Sequence, residues 1–281
     1  MEHIRDALAK ARVSLDEDRL PAHQHAQPIR VDRVVSSGAI NKEAAQRPEV
    51  GAPSVRRVSV DPRRLERNRI VALSMSDPNH VAFNMLRTRV RKMMRDNNWK
   101  KLAITSPTPS CGKSLVSLNL SFSLARAKGS RVVLVDLDLR KPSLAKTLGI
   151  ETTGSVGRFL EGDGRVEDCF VAVDDNLVIG LNKDHLQHSS ELLHGGRMSE
   201  LMRFISSLSP DMVLFDLPPM RSSDDALAFL PQVDASLLVV ASGTTTVADV
   251  DECEQQISQL DKYVGIVMNK TDDAANDYYQ Y

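Results

Sequence analysis

The rhythm of apolar positions changes along the chain. Over residues 2–15, Ile4, Ala7, Leu8, Ala11 and Leu15 recur at the three-and-four spacing of one helical face, which predicts a short helix. From residue 16 to about residue 76 that rhythm dissolves. Pro21, Pro28, Pro48, Pro53 and Pro62 interrupt a mostly polar stretch that reads as a linker or arm, not a second domain. Its end is basic through Arg56, Arg57, Arg63, Arg64, Arg67 and Arg69, suited to a solvated linker or to contact with anionic lipid or an acidic partner. A helix is predicted over 78–97, where Val81, Met85, Leu86, Val90, Met93 and Met94 form an apolar stripe read as core packing. From residue 101 onward, short apolar runs alternate with helical stretches. Strands are predicted over 102–105, 132–136, 177–181, 212–216, 236–241 and 265–268, and helices over 113–128, 190–208 and 247–260. The strands do not alternate polar with apolar, so both faces are expected to be buried. Buried strands alternating with helices predict an α/β fold: a mostly parallel sheet flanked by helices.

That pattern sets the domain expectation: residues 1–76 as a short helix plus a flexible basic linker, 77–270 as one nucleotide-binding domain, and 271–281 as a polar tail. With 281 residues and 42% apolar content there is enough chain for one sizeable core, but not for two full domains. A formal net charge of -1 argues against a global nucleic-acid binder. Cys111, Cys169 and Cys253 are far apart and have no histidine at ligand spacing, which argues against a zinc site or disulfide framework and for a reducing, cytoplasmic setting. No apolar run reaches the roughly 20 residues of a membrane span.

Three motifs carry chemistry. The first, Pro107-Thr-Pro-Ser-Cys-Gly-Lys-Ser114, joins a predicted strand to a predicted helix. Backbone amides of such a turn and the following helix start form a concave anion site. Lys113 is placed to reach the β and γ phosphates of ATP and Ser114 to ligate Mg²⁺, with Ser110, Cys111, Gly112 and Leu115 lining the nucleotide. The loop differs from the GxxxxGK[ST] pattern at Pro107, which replaces its first glycine, and Ser110 stands where many such loops have a small residue or glycine. The second motif, Val132-Val-Leu-Val-Asp-Leu-Asp-Leu-Arg140, puts Asp136 and Asp138 at the end of a buried strand, where open α/β sheets bind ligands. Two carboxylates beside a phosphate site suit Mg²⁺ coordination or proton abstraction from an acceptor hydroxyl. The third, Met212-Val-Leu-Phe-Asp-Leu-Pro-Pro219, presents Asp216 as a strand-end carboxylate for the metal. Asn269-Lys-Thr-Asp272, after the last predicted strand, matches a guanine-specificity motif literally; Asn269 is read as a base contact that does not select guanine.

Together these residues resemble the bacterial tyrosine kinases of capsule and exopolysaccharide export, within the MinD/ParA type of P-loop proteins. The resemblance spans about residues 78 to 270, and its most specific element is Asp136-Leu-Asp-Leu-Arg-Lys-Pro142. It implies that Lys113 and Ser114 bind ATP and Mg²⁺, that Asp136 is the base toward a tyrosine hydroxyl, and that Asp138 and Asp216 organise the metal. Such kinases phosphorylate their own tyrosine-rich C-terminal segment. Here three of the four tyrosines, Tyr278, Tyr279 and Tyr281, fall in the last four residues. The resemblance also implies a chain-length-determining inner-membrane partner acting in trans, peripheral membrane association through it, and a possible homo-oligomer. Of the positions matching the ring-forming Glu-x-x-Arg-x-x-Arg helix, namely Val81, Asn84 and Arg87, only Arg87 agrees. Two alternatives stay open: a nucleotide-binding regulatory scaffold of the export machinery, and a MinD/ParA-type ATPase.

Overall fold

The computed structural model describes residues 55–74, 77, 79–127 and 129–271. The helix expected over 2–15, most of the expected linker and the tail from residue 272 lie outside the described residues. Eight strands form one sheet: β1 (Arg56–Arg57), β2 (Lys101–Thr105), β3 (Val132–Asp136), β4 (Phe170–Asp174), β5 (Leu177–Gly180), β6 (Met212–Asp216), β7 (Ala235–Ala241) and β8 (Tyr263–Asn269). Their order is β1-β4-β5-β3-β6-β2-β7-β8. All pairs are parallel except β4 with β5. The central strands β3, β6 and β7 are buried at every position, so their apolar runs are continuous and not alternating.

Around the sheet stand α1 (Pro62–Arg67), α2 (Asn79–Asp96), α3 (Lys113–Ala125), α4 (Leu144–Leu148), α5 (Val156–Glu161), α6 (Ser189–His194), α7 (Gly196–Ser207), α8 (Asp225–Phe229) and α9 (Val247–Ser258). One apolar cluster joins α2, α3 and one sheet face; a second joins α5, α7, α8 and the opposite face. Helix α3 is buried almost all round from Val116 on, including Ser117, Asn119, Ser121 and Ser123, because it lies between the sheet and α2.

Register fixes the site. Between β3 and β6 the pairing brings Asp136 opposite Asp216, both at the C-terminal ends of their strands. Strand β2 pairs with β6 on its other side, so the loop leaving Thr105 emerges beside Asp216.

Several expectations are corrected. Residues 55–74 belong to the packed domain and not to a linker. Leu65, Ile70, Val71 and Ala72 are buried, and the Val71 and Ala72 amides donate to Asn119 Oδ1 at 2.8 and 3.0 Å. The single helix expected over 190–208 is two, because Gly195 takes an extended conformation between α6 and α7. The helix after the phosphate loop ends at Ala125, not Lys128. The apolar stripe of α2 is only partly core: Val90 and Met94 are buried, while Val81 and Met85 are 40% and 44% exposed. The antiparallel β4 is an element that periodicity did not reveal. No helix among the described residues is long and apolar enough to cross a membrane.

Candidate active site

The phosphate loop, residues 106–112, is held from two sides. The segment after β6 holds its first half: Thr105 Oγ1 donates to the Pro218 carbonyl at 2.7 Å, and the Met220 and Arg221 amides donate to the Ser106 and Pro107 carbonyls at 2.8 and 3.1 Å. Strand β8 holds the second half, where Asn269 Nδ2 donates to the Cys111 carbonyl at 2.9 Å. Cys111 is buried, with Sγ 3.4 Å from Thr108 Oγ1 and 3.6 Å from Thr245 Oγ1. Burial pushes its thiol up, but the Thr108 and Thr245 hydroxyls outweigh this and the net direction is down.

Two residues carry the sharp turn into α3. Gly112 has φ +92°, and a Cβ there would stand 2.2 Å from Asn269 Nδ2. Ser110 has φ +66°, a left-handed conformation that costs an L-residue with a side chain roughly 1–2 kcal/mol. Helix α3 starts at Lys113 with no side-chain cap, so its first amides remain available to a phosphate. Ser114 and Leu115 lie in that first turn, and Leu115 packs against the core.

The carboxylates divide the work. Asp136 is fully buried. Its Oδ2 accepts from the Ser143 and Leu144 amides at 3.1 Å each, and its Oδ1 from the Asp138 amide at 3.3 Å. Burial, then the Asp216 charge, pushes its carboxyl well above the usual range. Asp138 Oδ2 accepts from Lys113 Nζ at 2.6 Å, and its Oδ1 from the Lys141 amide at 2.9 Å. Asp216 Oδ1 accepts from Ser117 Oγ at 3.0 Å, while its Oδ2 is buried with no hydrogen-bond partner. Burial also raises Asp216, against the opposing charge of Lys113. For Lys113 itself, burial pulls the ammonium down, but Asp216 and Asp138 outweigh it and hold the charge on.

This geometry fits a nucleotide with its Mg²⁺. Three buried carboxyls against one lysine leave a local excess of negative charge, and Asp216 Oδ2 is a buried acceptor without a donor. A divalent cation supplies what that atom lacks. No group of three or more His, Cys, Asp or Glu among the described residues could cage a metal. A carboxylate and a hydroxyl suit Mg²⁺, which keeps waters and binds through phosphates. Asp216 and Ser114 would hold it, while Asp138, expected among the metal ligands, is engaged by Lys113.

The structure thus brings Lys113, Ser114, Asp136, Asp138 and Asp216 together at the strand ends, with Ser110, Cys111 and Gly112 in the loop. Asn269 touches the loop backbone directly, a contact its expected role as a base ligand did not include. Tyr278, Tyr279 and Tyr281 lie outside the described residues. The sequence missed the supports. Ser117 sits one turn beyond Lys113 and bonds Asp216. Arg140 donates to Asp225 at 2.8 and 3.3 Å, and buried Asp225 also accepts from Ser189 Oγ at 2.5 Å, tying the Asp-x-Asp-x-Arg loop to α6 and α8. Ser117 could have been found from its i+4 spacing to Lys113; Asp225 gives no such local signal.

Residues 102–280 match the family model of the CobQ/CobB/MinD/ParA nucleotide binding domain. Tyrosine-protein kinase YwqD of Bacillus subtilis (strain 168) is 29% identical over 208 residues, covering 73% of this chain and 87% of that protein. Tyrosine-protein kinase CpsD of Streptococcus pneumoniae serotype 4 is 27% identical over 202 residues, covering 70% of this chain and 86% of that protein. The chain spans only 26% of the length of two longer relatives. Among solved structures, the kinase domain of Escherichia coli tyrosine kinase ETK is similar with a TM-score of 0.67 at 25% identity, covering 75% of this chain and 84% of that one.

Proposed function

This chain belongs to the CobQ/CobB/MinD/ParA nucleotide-binding family, and on that premise we propose that it is an ATP-dependent protein-tyrosine kinase that phosphorylates tyrosines of its own C-terminal segment. The observation that carries this reading is the 2.6 Å contact of Lys113 Nζ with Asp138, a phosphate-loop lysine resting on a carboxylate of the Asp-x-Asp-x-Arg loop. When ATP binds, its phosphates compete for that lysine, and Lys113 turns from Asp138 to the β and γ oxygens. Asp138 is then free to accept a proton. The loop amides and the α3 start hold the phosphate oxygens. Bound Mg²⁺ neutralises charge on the phosphates.

The acceptor tyrosine oxygen forms a bond to the γ phosphorus, the bond from that phosphorus to the β–γ bridging oxygen breaks, and ADP leaves. Asp138 takes the phenolic proton. Asp136, expected as the base, has both oxygens engaged by backbone amides and no exposure, so its place in this reading is to shape the loop that carries Asp138. The relatives named as kinases support tyrosine as acceptor, and the sequence offers Tyr278, Tyr279 and Tyr281. Control of polysaccharide polymerisation or export, with a membrane partner in trans that places the protein at the inner membrane, completes the proposal.

Incubation of the full chain with Mg²⁺ and γ-labelled ATP tests it, with phosphotyrosine and free phosphate counted separately. Label on tyrosine in excess of released phosphate supports the kinase. Released phosphate without phosphotyrosine points to a MinD/ParA-type ATPase. The second reading, a nucleotide-sensing scaffold, draws on the strained φ of Ser110; retained ATP with neither product would favour it.

A further inference from the structure

Helix α2 presents a second charged surface that the nucleotide site does not use. His80, Asn84, Arg87, Arg91 and Arg95 recur at three- and four-residue spacing, so they share one helical face. With Lys92, and with Arg126 just past the end of α3, they line an open groove of about 690 Å³ that contains no carboxylate. Arg91, Lys92, Arg95 and Arg126 are exposed. The Arg126 guanidinium donates to the Ala72 carbonyl at 2.8 Å and lies 2.9 Å from His80 Nε2, which fixes one wall. The only acid nearby on α2, Asp96, pairs with Lys92 and Arg95 at its C-terminal end. The 13 residues of α3 separate this groove from Lys113 by about 20 Å.

An array of guanidinium groups in which, among the described residues, only Arg95 pairs with a carboxylate suits a ligand with several phosphates or carboxylates. A concave groove of this volume favours a peptide with projecting groups over a flat lipid surface. One segment of the chain has the complementary chemistry. Residues 272–281 carry Asp272, Asp273 and Asp277, no lysine or arginine, and three tyrosines. Each phosphorylation adds about −1.5 to −2 charges and three acceptor oxygens.

We propose that the groove of α2 is a docking site for the phosphorylated form of the segment Asp272 to Tyr281, so that the product of the reaction is retained away from the catalytic centre. The proposal rests on the tyrosine-kinase reading above, but its test does not require the protein to make the phosphate.

The test measures binding of a labelled synthetic peptide of residues 272–281, with three phosphotyrosines or with none, to the full dephosphorylated chain by fluorescence anisotropy. The expected result is at least tenfold tighter binding of the phosphopeptide. That binding falls at least tenfold in Arg91→Glu/Arg95→Glu and is unchanged in Arg89→Glu, an exposed position outside the groove. It also persists in Lys113→Met, which separates the groove from the nucleotide site. Equal affinity for the two peptides, or equal loss in Arg89→Glu, would overturn the assignment. So would binding to vesicles containing phosphatidylglycerol through Arg91 and Arg95 with no capture of the phosphopeptide. A chain that binds the phosphopeptide yet makes no phosphotyrosine supports the groove and refutes the kinase.

Discussion

Helix α3 separates two regions of opposite character. At its N-terminal end Lys113 meets Asp136, Asp138 and Asp216, all buried. Beyond its C-terminal end Arg126 joins the cations of α2, mostly exposed, with no acid in the groove. The same kinds of groups behave differently in the two places. In the buried cluster burial raises the proton affinity of Asp136 and Asp216, and Asp216 Oδ2 makes no hydrogen bond. On the exposed face water and salt screen each charge, so no single cation dominates and the surface acts by summation. Buried charge is specific and costly; exposed charge is cheap, broad and salt-sensitive.

The largest expected effect breaks the buried end. Lys113→Met removes the ammonium that contacts Asp138, so phosphotransfer should fall by roughly 10³-fold, measured as initial rate at saturating ATP. Next is Gly112→Ala, which places a Cβ against Asn269 at a backbone angle that favours glycine. Displacing the loop should weaken ATP binding by about 10²-fold by calorimetry. Asn269→Ala removes only the hydrogen bond to the Cys111 carbonyl and should cost about tenfold in the same assay.

Asp216→Asn should do the opposite to stability. Burial raises the folded-state proton affinity of Asp216, so the carboxyl favours the fold at low pH, and that contribution is lost as pH rises through the raised value. The substitution removes the loss. The nucleotide-free protein at neutral pH should melt about 2–4 °C higher, the shift that roughly 1 kcal/mol gives in a domain of this size, with a flatter pH dependence. Mg²⁺-dependent binding of ATP should weaken in the same variant. The smallest effect sharpens the contrast: Arg91→Glu/Arg95→Glu should leave ATP affinity within about twofold, since screened surface charge so far from the loop contributes little.

The strand, loop and helix around Lys113 were legible because β2 and β3 are buried on both faces and their apolar runs end sharply at Thr105 and Asp136. The pairing of Asp136 with Asp216 was legible only as two separate strand ends. Their adjacency depends on β6 inserting between β2 and β3, which no local pattern encodes. Residues 55–74 were misread because short α1 is mostly charged, and what anchors the stretch is the side chain of Asn119, far along the chain. The break at Gly195 was missed because apolar residues stand close on both sides of it, Leu192 and Leu193 before and Met198 and Leu201 after. Asp225 and the loop contact of Asn269 escaped for the same reason as Asn119: their partners are 85 and 158 residues away.

The central claim is that the carboxylate-and-lysine end of α3 transfers phosphate from ATP to the chain's own tyrosines. Mass spectrometry of the peptide containing Tyr278, Tyr279 and Tyr281, after incubation of the dephosphorylated full chain with Mg²⁺ and ATP, tests it most directly. The account predicts added phosphate on that peptide in the wild type and none in Lys113→Met. An unmodified peptide in both, with ATP demonstrably bound, would contradict it.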